Sequence, residues 1–465
     1  MVSVVGRRLI RLGLTLALAL QLIVTYFSQH PGSFPATVPN SSLWILPTAA
    51  PYLLGLALLA RAEFRPRTVV TLVLGLTATL QVLALTRLPR TSNDVLRYIW
   101  DGKVQLAGID PYRYAPDDPG LVRLHEPLLF THAACALPTG CPLLNRPDVH
   151  TIYPPVAQAA FDLVRLITLG GHGGERAFQI AAAVGALTIT GLLLRHARRN
   201  QLPLWTAAAW GWCPIVVSEF GNNAHIDWLA ILLSLLGISA YASARPRWAG
   251  ALVGAAIAVK LYPALILPSL LKRHPIKVIS AAATVVVLGY VPHLLVAGRA
   301  VVGFLPGYLQ QEGYASGSRL ILLSLLLPRP FDSLVGVLLL AAVALRCYQR
   351  SDSLRPELTA VMLCGATFLV VTPGYGWYGA ILIALIAMTA HWEWLPIGFA
   401  PSASYLYGPL FRDRHLSDAI TWLIAVSLGV AIWYLRCRRS PTVENQSFST
   451  MKSQPTSGLP PVGDQ

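Results

Sequence analysis

Apolar runs of bilayer length follow one another along nearly the whole chain and are separated by short polar links. The first three cover about residues 12–28, 43–60 and 68–86. A helix needs about 20 mainly apolar residues to cross the hydrocarbon core of a bilayer, so these runs predict transmembrane helices. Further predicted spans cover residues 178–194, 203–220, 228–243, 276–296, 332–346, 358–372, 378–391, 395–410 and 418–435. The pattern predicts an all-α polytopic membrane protein with about 10 to 13 transmembrane helices.

The charges of the links predict which side of the membrane each link faces. Basic clusters occupy residues 7–11, 61–67, 195–199 and 436–439. Cytoplasmic links are enriched in Lys and Arg, so these four segments are predicted to be cytoplasmic. The first apolar run is not followed promptly by a small-residue cleavage site, which favours an uncleaved signal anchor over a cleaved signal peptide.

The link 87–155 is the longest polar segment between spans and is predicted to lie on the outer side. It holds seven of the 21 acidic residues: Asp94, Asp101, Asp110, Asp117, Asp118, Glu126 and Asp148. The apolar run 156–169 that follows must not span if the next basic link is cytoplasmic, so we interpret it as an interfacial helix on the outer surface. We therefore expect the catalytic loop of this protein at 87–155.

The segment 248–271 is interrupted at Lys260-Leu-Tyr-Pro263 and has basic residues at both ends. Irregular backbone at membrane depth is tolerated where it lines a cavity, so the segment predicts a broken or re-entrant hairpin with Lys260 at its tip. An ionisable residue inside a membrane segment is a functional candidate. The alternative is a lysine whose long side chain reaches the membrane interface.

The composition excludes several other classes of protein. The chain is 54% hydrophobic and 12% charged, and its net charge of +15 lies mainly in the links, where topology explains it better than a nucleic-acid partner does. The sequence contains no Walker-type loop, dinucleotide fingerprint or Cys/His metal cluster, which argues against an ATP-driven pump and a Rossmann-type enzyme. Beyond a membrane domain at 1–439, the Ser/Thr/Pro/Gly-rich segment 440–465 predicts a disordered cytoplasmic tail. Cys135 and Cys141 lie close in sequence, and a disulfide between them is expected only if their side is oxidising.

The segment 91–114 contains the densest set of candidate catalytic side chains. Asp94, Tyr98, Asp101 and Gln105 follow one another at spacings of three and four, so a helix would place them on one face. Polar residues just before Asp94 can cap that helix, and glycine and proline follow it. An acidic and aromatic helix at a membrane surface indicates an active site. The alternative is a helix cap with a solvated interfacial face.

Polar side chains also gather where predicted spans meet. Asn222, His225 and Asp227 lie between two spans, where they would bind sugar hydroxyls or phosphate, or else only solvate the span ends. A zinc site at His225 is disfavoured because no second His lies at ligand spacing. The outer links 307–319 and 372–378 are rich in Tyr and Trp, which predicts either an interfacial aromatic belt or stacking on sugar faces.

The order of these motifs resembles that of GT-C superfamily glycosyltransferases, in particular bacterial glycosyltransferase family 87 and the PIG-M-like mannosyltransferases. The motifs are the Asp94 helix with Trp100-Asp101-Gly102, then Gly108-x-x-Pro111-Tyr112, Tyr153-Pro154-Pro155, 222–227 and 260–263. The resemblance implies a GT-C fold, and a sugar donor carried on polyprenyl phosphate. It matches Asp94 to the second acid of the usual Asp-x-Asp pattern, which is the general base. Ser92 replaces the first acid, so a metal bridged by two carboxylates is not implied and the need for a divalent cation stays open.

The resemblance further implies transfer of mannose to an envelope glycan or glycolipid on the outer face of the cell membrane, with inversion of the donor's β linkage. Asp94 is the expected base, and Asp101 the acid that assists or orients. The side chains expected to hold the donor phosphate or substrate are Arg97, Lys260, His225, Asn222, Asp227, Tyr153 and Arg319. Besides membrane lipid, lipid-linked donor and acceptor, no cofactor, metal-binding residue or protein partner is expected, and the need for a divalent cation stays open. The alternative is a transporter or flippase of a lipid-linked sugar, although such proteins usually show repeated halves and no repeat is visible here.

Overall fold

A computed structural model gives the structure of the chain and describes residues 4–30, 47–131, 141–168, 174–313, 319–328, 330–352, 354–408 and 411–439. The α-helices in these ranges are α1 (Val4–Gln29), α2 (Ala49–Leu59), α3 (Pro66–Ala84), α4 (Asp94–Leu106), α5 (Pro155–Ile167), α6 (Gly174–Arg199), α7 (Ala208–Gly211), α8 (Pro214–Val216), α9 (Asp227–Ala242), α10 (Pro246–Ile257), α11 (Pro275–Ala297), α12 (Leu305–Gln311), α13 (Ile321–Ser324), α14 (Phe331–Arg350), α15 (Pro356–Val371), α16 (Gly376–Thr389), α17 (Leu395–Tyr407) and α18 (Arg414–Arg439). The predicted all-α fold is confirmed.

Short elements of other types join these helices. The 3-10 helices are Pro119–Leu124, Leu204–Ala207, Tyr262–Leu270, Gly298–Val302 and Trp392–Trp394, and Val217–Asn222 is a π-helix. Strands β1 (Phe130–Thr131) and β2 (Cys141–Pro142) pair as an antiparallel ladder in the segment between α4 and α5.

Six helical segments of the described ranges are long and apolar enough to cross a membrane. They are α1, α3, α6, the segment Pro275–Gln311 that contains α11, α14, and α18 up to Arg438. The bent pair Pro214–Asn222 and Asp227–Ala242 would form a seventh span, and α2, α15 and α16 are shorter apolar helices. The chain is therefore a multi-pass membrane protein. These segments reach the lower end of the predicted number of spans only if the shorter helices also cross.

Helix α16 forms the centre of the bundle. All its residues except Tyr378 are buried, which is typical of a helix that packs on every side. Small residues allow close packing here, since a Cβ at Gly379 would lie 2.1 Å from the carbonyl oxygen of Gly398 in α17. In α14, by contrast, only 11% of the apolar stretch is buried, so this helix is peripheral and faces lipid.

The basic links meet at one end of the bundle, which we call the basic end. There the backbone N–H of Arg273 donates to Tyr241 Oη at 2.7 Å, and Arg436 pairs with Glu393 at 3.0 Å. The links at the other ends of the same helices surround a cavity, and we call this the cavity end. This separation agrees with the alternation of links predicted from their charge.

The structure corrects the course of one predicted span. The apolar run 203–220 predicts a continuous helix, but the chain here forms the 3-10 helix Leu204–Ala207, then α7, α8 and the π-helix. Pro214 begins α8 and has no backbone N–H to donate to the preceding turn, so a continuous helix is interrupted at this point.

The break predicted at Lys260 is confirmed. Helix α10 ends at Ile257 and the following 3-10 helix begins at Tyr262, so Lys260 lies in the turn between them. The carbonyl oxygen of Ala258 in this turn accepts a 2.8 Å hydrogen bond from the N–H of Val156, which fixes the turn against the start of α5.

The predicted helix after Pro154 is α5, which packs on α4. Its buried side includes Phe161, whereas Leu163, Leu166 and Ile167 are exposed, a pattern that suits the predicted interfacial position. Cys135, one half of the predicted disulfide, and the predicted tail 440–465 lie outside the described residues.

Candidate active site

A cavity of about 760 Å³ opens at the cavity end of the bundle. Its lining comes from residues within 89–97, 145–154, 260–265, 304–309 and 367–378, together with Tyr405. These are mostly helix ends and links, which the fold brings together from distant parts of the sequence. The volume is typical of a small-molecule site and suits a sugar with its phosphate.

Asp94 is the acidic residue in the described lining of the cavity. It is the first residue of α4, and its backbone N–H donates to Ser92 Oγ at 3.2 Å. Its Oδ1 accepts a 2.5 Å hydrogen bond from Asn145 Nδ2, and its Oδ2 accepts a 3.3 Å bond from Tyr153 Oη. The carboxylate is therefore held in place, while 17% of its side chain stays exposed toward the cavity.

Lys260 also lines the cavity, beside a buried counter-ion. Its Nζ lies 3.6 Å from Asp227 Oδ2 and 4.9 Å from the ring centroid of Tyr153. Burial first, and the Asp94 charge second, raise the pKa of the Tyr153 phenol, so that it stays protonated and donates to Asp94. Tyr153 thus connects the carboxylate and the cation of the site.

Arg97 and Asp101, on the same helix as Asp94, form a buried ion pair. Asp101 is buried; its Oδ1 pairs with Arg97 Nε at 3.1 Å, and its Oδ2 accepts from Thr151 Oγ1 at 2.6 Å and Gln158 Nε2 at 3.0 Å. The other two guanidinium nitrogens of Arg97 donate to the carbonyl oxygens of Arg146 and Val149. Asp101 does not line the cavity, and its expected role, to assist or orient the base, stays a prediction.

Asn222, His225 and Asp227 lie behind the cavity wall and are buried. The amide of Asn222 donates to the carbonyl oxygens of Ala84 and Leu88 at 3.3 and 3.1 Å, so it holds the end of α3. The structure places all three outside the lining, and their expected contact with substrate stays a prediction. Within the described ranges, no group of three or more His, Cys, Asp or Glu side chains is arranged to hold a metal ion.

Arg319 is likewise anchored outside the described lining. It forms an ion pair with Glu312, and its guanidinium lies 5.8 Å from the ring centroid of Tyr375, which does line the cavity. Tyr375 Oη donates to Glu312 Oε1 at 2.6 Å. Burial, then this bond, raise the pKa of Tyr375 to about 12. Arg319 and Glu312 thus position an aromatic wall of the cavity.

The sequence prediction missed Asn145 and Arg146, which lie 51 and 52 residues beyond Asp94. Asn145 makes the shortest of the hydrogen bonds to Asp94 described above. Arg146 is a further cation of the lining, which also includes Lys260, Arg90 and Arg97. The Arg146 guanidinium lies over the rings of Phe304 and Tyr308 at 5.4 and 5.5 Å. The only sequence signal was their position in the long polar link.

Apolar side chains also line the cavity, and we call this set its apolar side. It is formed by Leu261, Leu265, Leu305, Leu309, Phe368 and Val371, from the hairpin, α12 and α15. Polar and apolar ligand groups can thus be bound in one cavity.

A comparison with known protein families shows what part of the chain is similar to. Residues 151–373 match the model of glycosyltransferase family 87. The match is consistent with a GT-C type enzyme and supports a glycosyltransferase. It begins beside Tyr153 and includes Lys260 and the 372–373 link, whereas Asp94 precedes it. No curated protein and no solved structure matches this chain.

Proposed function

We propose that this glycosyltransferase moves a sugar, most readily mannose, from a polyprenyl-phosphate carrier to a hydroxyl of an envelope glycan or glycolipid. The proposed site is the cavity, on the outer face of the cell membrane. One observation carries the proposal: the anchored carboxylate Asp94, the cations Lys260 and Arg146 and an apolar side share a single cavity.

In the proposed reaction, Asp94 acts as the general base. The acceptor hydroxyl attacks the anomeric carbon and loses its proton to the Asp94 carboxylate, while the bond from that carbon to the phosphate oxygen breaks. Asn145 and Tyr153 hold the carboxylate by two hydrogen bonds and so fix its direction. Direct displacement of this kind would convert a β-linked donor into an α-linked product.

Lys260 and Arg146 would bind the donor phosphate. Charge-assisted hydrogen bonds to phosphate oxygens are among the strongest in proteins, and they stabilise the negative charge that the leaving phosphate gains. Arg97, which the sequence also suggests for this role, has all three guanidinium nitrogens engaged with the protein. We therefore assign it, with Asp101, to holding the 145–151 segment in place.

The apolar side of the cavity would receive the first isoprene units of the carrier. Leu305 and Leu309 lie on α12, which belongs to the same Pro275–Gln311 segment as the poorly buried α11. A lipid chain that leaves the cavity there would pass directly into the bilayer. The outer-face position is supported by the location of the basic links at the opposite end of the bundle.

The rival function is transport of a lipid-linked sugar. Transporters bind their substrates near the bilayer midplane between repeated halves, whereas this cavity is formed at helix ends. In the proposed transfer, the carboxylate held by two hydrogen-bond donors serves as the base and the neighbouring cation binds the phosphate.

The test is transfer of labelled mannose from synthetic polyprenyl-phosphate mannose in membranes that contain equal amounts of wild type or Asp94→Asn. We expect a labelled product with the wild type only, and no transfer from a nucleotide-linked mannose. A product with both proteins would support the transferase activity and would show that Asp94 is not its base.

A polyprenyl-phosphate pentose donor would be tried in parallel. Activity with the pentose donor alone would show that the transferred sugar is a pentose and not mannose, and would still support polyprenyl phosphate as the carrier. Movement of intact donor across vesicle membranes without any glycosidic product would replace the proposal by the transporter.

A further inference from the structure

A fully buried histidine lies directly behind the proposed base. The side chain of His225 has no solvent exposure, and neither ring nitrogen has a hydrogen-bond partner among the described residues. A buried polar group without a partner costs about 1 to 3 kcal/mol, so such a histidine calls for an explanation.

Each unpartnered nitrogen faces a carboxylate. Nδ1 lies 3.8 Å from Asp94 Oδ2, and Nε2 lies 3.3 Å from Glu219 Oε2. Both distances exceed a good hydrogen bond by less than about 1 Å, and catalytic contacts are commonly longer before the substrate binds. Asp94, His225 and Glu219 thus form a series of side chains that leads from the cavity into the protein interior.

The ring of His225 is also placed to carry a positive charge for a short time. It stacks on Trp377 with ring centroids 4.1 Å apart and an interplanar angle of 28°. An indole face stabilises a nearby cation. Burial lowers the pKa of His225 to about 4, so the ring is neutral before the reaction and able to accept a proton. The charges of Asp94 and Asp227 act in the opposite direction and favour the protonated ring, whereas Lys260 acts with burial.

The backbone that carries these groups departs from regular helix twice. Glu219 belongs to the π-helix Val217–Asn222, and Ala224 has a φ of +59°, a left-handed value that is costly for a residue with a Cβ. Both features persist only where the surroundings enforce them, and both are found preferentially at functional sites.

A buried amide fixes Glu219 relative to the segment before the base. Asn223 Nδ2 donates to Glu219 Oε2 at 3.2 Å and to Thr91 Oγ1 at 2.5 Å, and its Oδ1 accepts from the N–H of Thr91 at 3.2 Å. Thr91 lies three residues before Asp94. These bonds therefore fix the position of Glu219 relative to the segment that carries Asp94.

We propose that His225 takes the proton that Asp94 receives from the acceptor, and that Glu219 orients His225 for this transfer. The role rests on the proposed transferase function. The acceptor oxygen bonds to the anomeric carbon as the phosphate leaves with the bonding electron pair. The hydroxyl proton moves first to Asp94 Oδ2, and the same proton then passes to Nδ1 of His225, which leaves Asp94 ionised and the imidazole protonated.

Glu219 accepts a hydrogen bond from Nε2–H of His225, which fixes the tautomer that leaves Nδ1 free to accept. After the product departs, the proton returns through Asp94 to water in the cavity. The arrangement follows the logic of a base oriented by a buried carboxylate. His225 and Glu219 act through Asp94 and do not touch the substrate.

The test compares His225→Gln, Glu219→Gln and the double variant with the wild type in the mannose transfer assay, using the full chain in membranes. Each single variant should lower kcat by about 10- to 100-fold, less than the 100- to 10,000-fold that loss of a general base costs, while the donor KM stays unchanged. The double variant should be no slower than the slower single variant. Effects that multiply in the double variant, or a rise in KM without a fall in kcat, would overturn the relay.

Matched controls come from the basic end. His196→Gln and Glu357→Gln exchange the same residue types far from the cavity, where His196 Nε2 meets the carbonyl oxygen of Met388 at 3.1 Å and Glu357 is buried beside Arg355. These variants should keep the wild-type kcat. Thermal unfolding of every variant in detergent shows whether a fall in activity reflects loss of folded protein.

A measurement on the wild type keeps the proposal testable if the buried variants do not fold. The relay requires a neutral imidazole with its proton on Nε2 and with Nδ1 free to accept, a tautomer that 15N NMR of histidine-labelled protein in detergent identifies. A proton found on Nδ1 of His225 would contradict the relay. A wild type that transfers no sugar from either polyprenyl-phosphate donor would instead contradict the proposed function. Failure of the relay and failure of the transferase function can therefore be told apart.

Discussion

The two acids of helix α4 lie about two turns apart and have opposite surroundings. Asp94 receives two hydrogen bonds and keeps 17% of its side chain exposed, whereas Asp101 pairs with Arg97, receives two further hydrogen bonds and is 2% exposed. A buried carboxylate that pairs with an arginine and accepts three hydrogen bonds in all has little capacity to accept a proton. The comparison separates a carboxylate free to react from one that holds the structure.

The largest effect is expected for Asp94→Asn. We expect kcat to fall by about 100- to 10,000-fold because the amide cannot accept a proton from the acceptor hydroxyl. The thermal midpoint in detergent should change little, because the residue is partly exposed and Tyr153 can still donate to the amide oxygen. Activity and thermal unfolding, measured on the same preparation, check both parts. A variant that loses stability rather than rate would place Asp94 among the structural acids.

Asp101→Asn should have the converse effect. Removal of its charge leaves Arg97 buried without a counter-ion, which costs about 3 to 5 kcal/mol of unfolding free energy. The kcat of the protein that remains folded should stay close to the wild type. Denaturation in detergent measures the stability, and the double variant Asp101→Asn/Arg97→Gln should lose less than the two single variants added together. A full loss of kcat at normal stability would restore Asp101 as an acid of the site.

Lys260→Met extends the comparison to the cation of the site. We expect the KM for the lipid-linked donor to rise by about 10- to 100-fold, because a charge-assisted bond to phosphate contributes about 1.5 to 3 kcal/mol. The substitution also leaves Asp227 buried without its partner at 3.6 Å. Lys260→Met/Asp227→Asn should therefore recover stability without recovering KM. Recovery of both would reduce Lys260 to a structural counter-ion.

The smallest effect is expected for Tyr153→Phe. The ring that lies beneath Lys260 remains, and only the 3.3 Å bond from the phenol to Asp94 is lost. Hydrogen bonds to charged groups are typically worth about 1.5 to 3 kcal/mol, and this one is long, so we expect a loss of at most about 1.5 kcal/mol and a fall in kcat of about 2- to 10-fold with the donor KM unchanged. Since the pKa of Tyr153 is raised, first by burial and then by Asp94, its titration should leave no alkaline limb in the wild-type rate profile below about pH 10. A large rise in KM would instead show that the phenol contacts the donor.

The site follows only in part from the local pattern. The place of Asp94 at the start of a helix and of Lys260 in a break between helices was predictable, because capping residues, proline and charge within an apolar run are local signals. The surroundings of each residue were not. Spacings of three and four place Asp94 and Asp101 on one helix face equally well, yet the chain at 145–158 supplies donors that differ between them.

The sequence by itself determined the membrane class, the order of the helices and the end of the bundle at which charged links gather. These properties depend on the length of apolar runs and on charge, which act over a few turns of chain. Only the tertiary structure decided which polar groups line the cavity and which lie behind it. His225 and Asp94 are 131 positions apart, and they meet because α9, α16 and the 91–94 segment pack together. Contacts between such distant segments depend on side-chain packing, and periodicity along one chain carries no information about it.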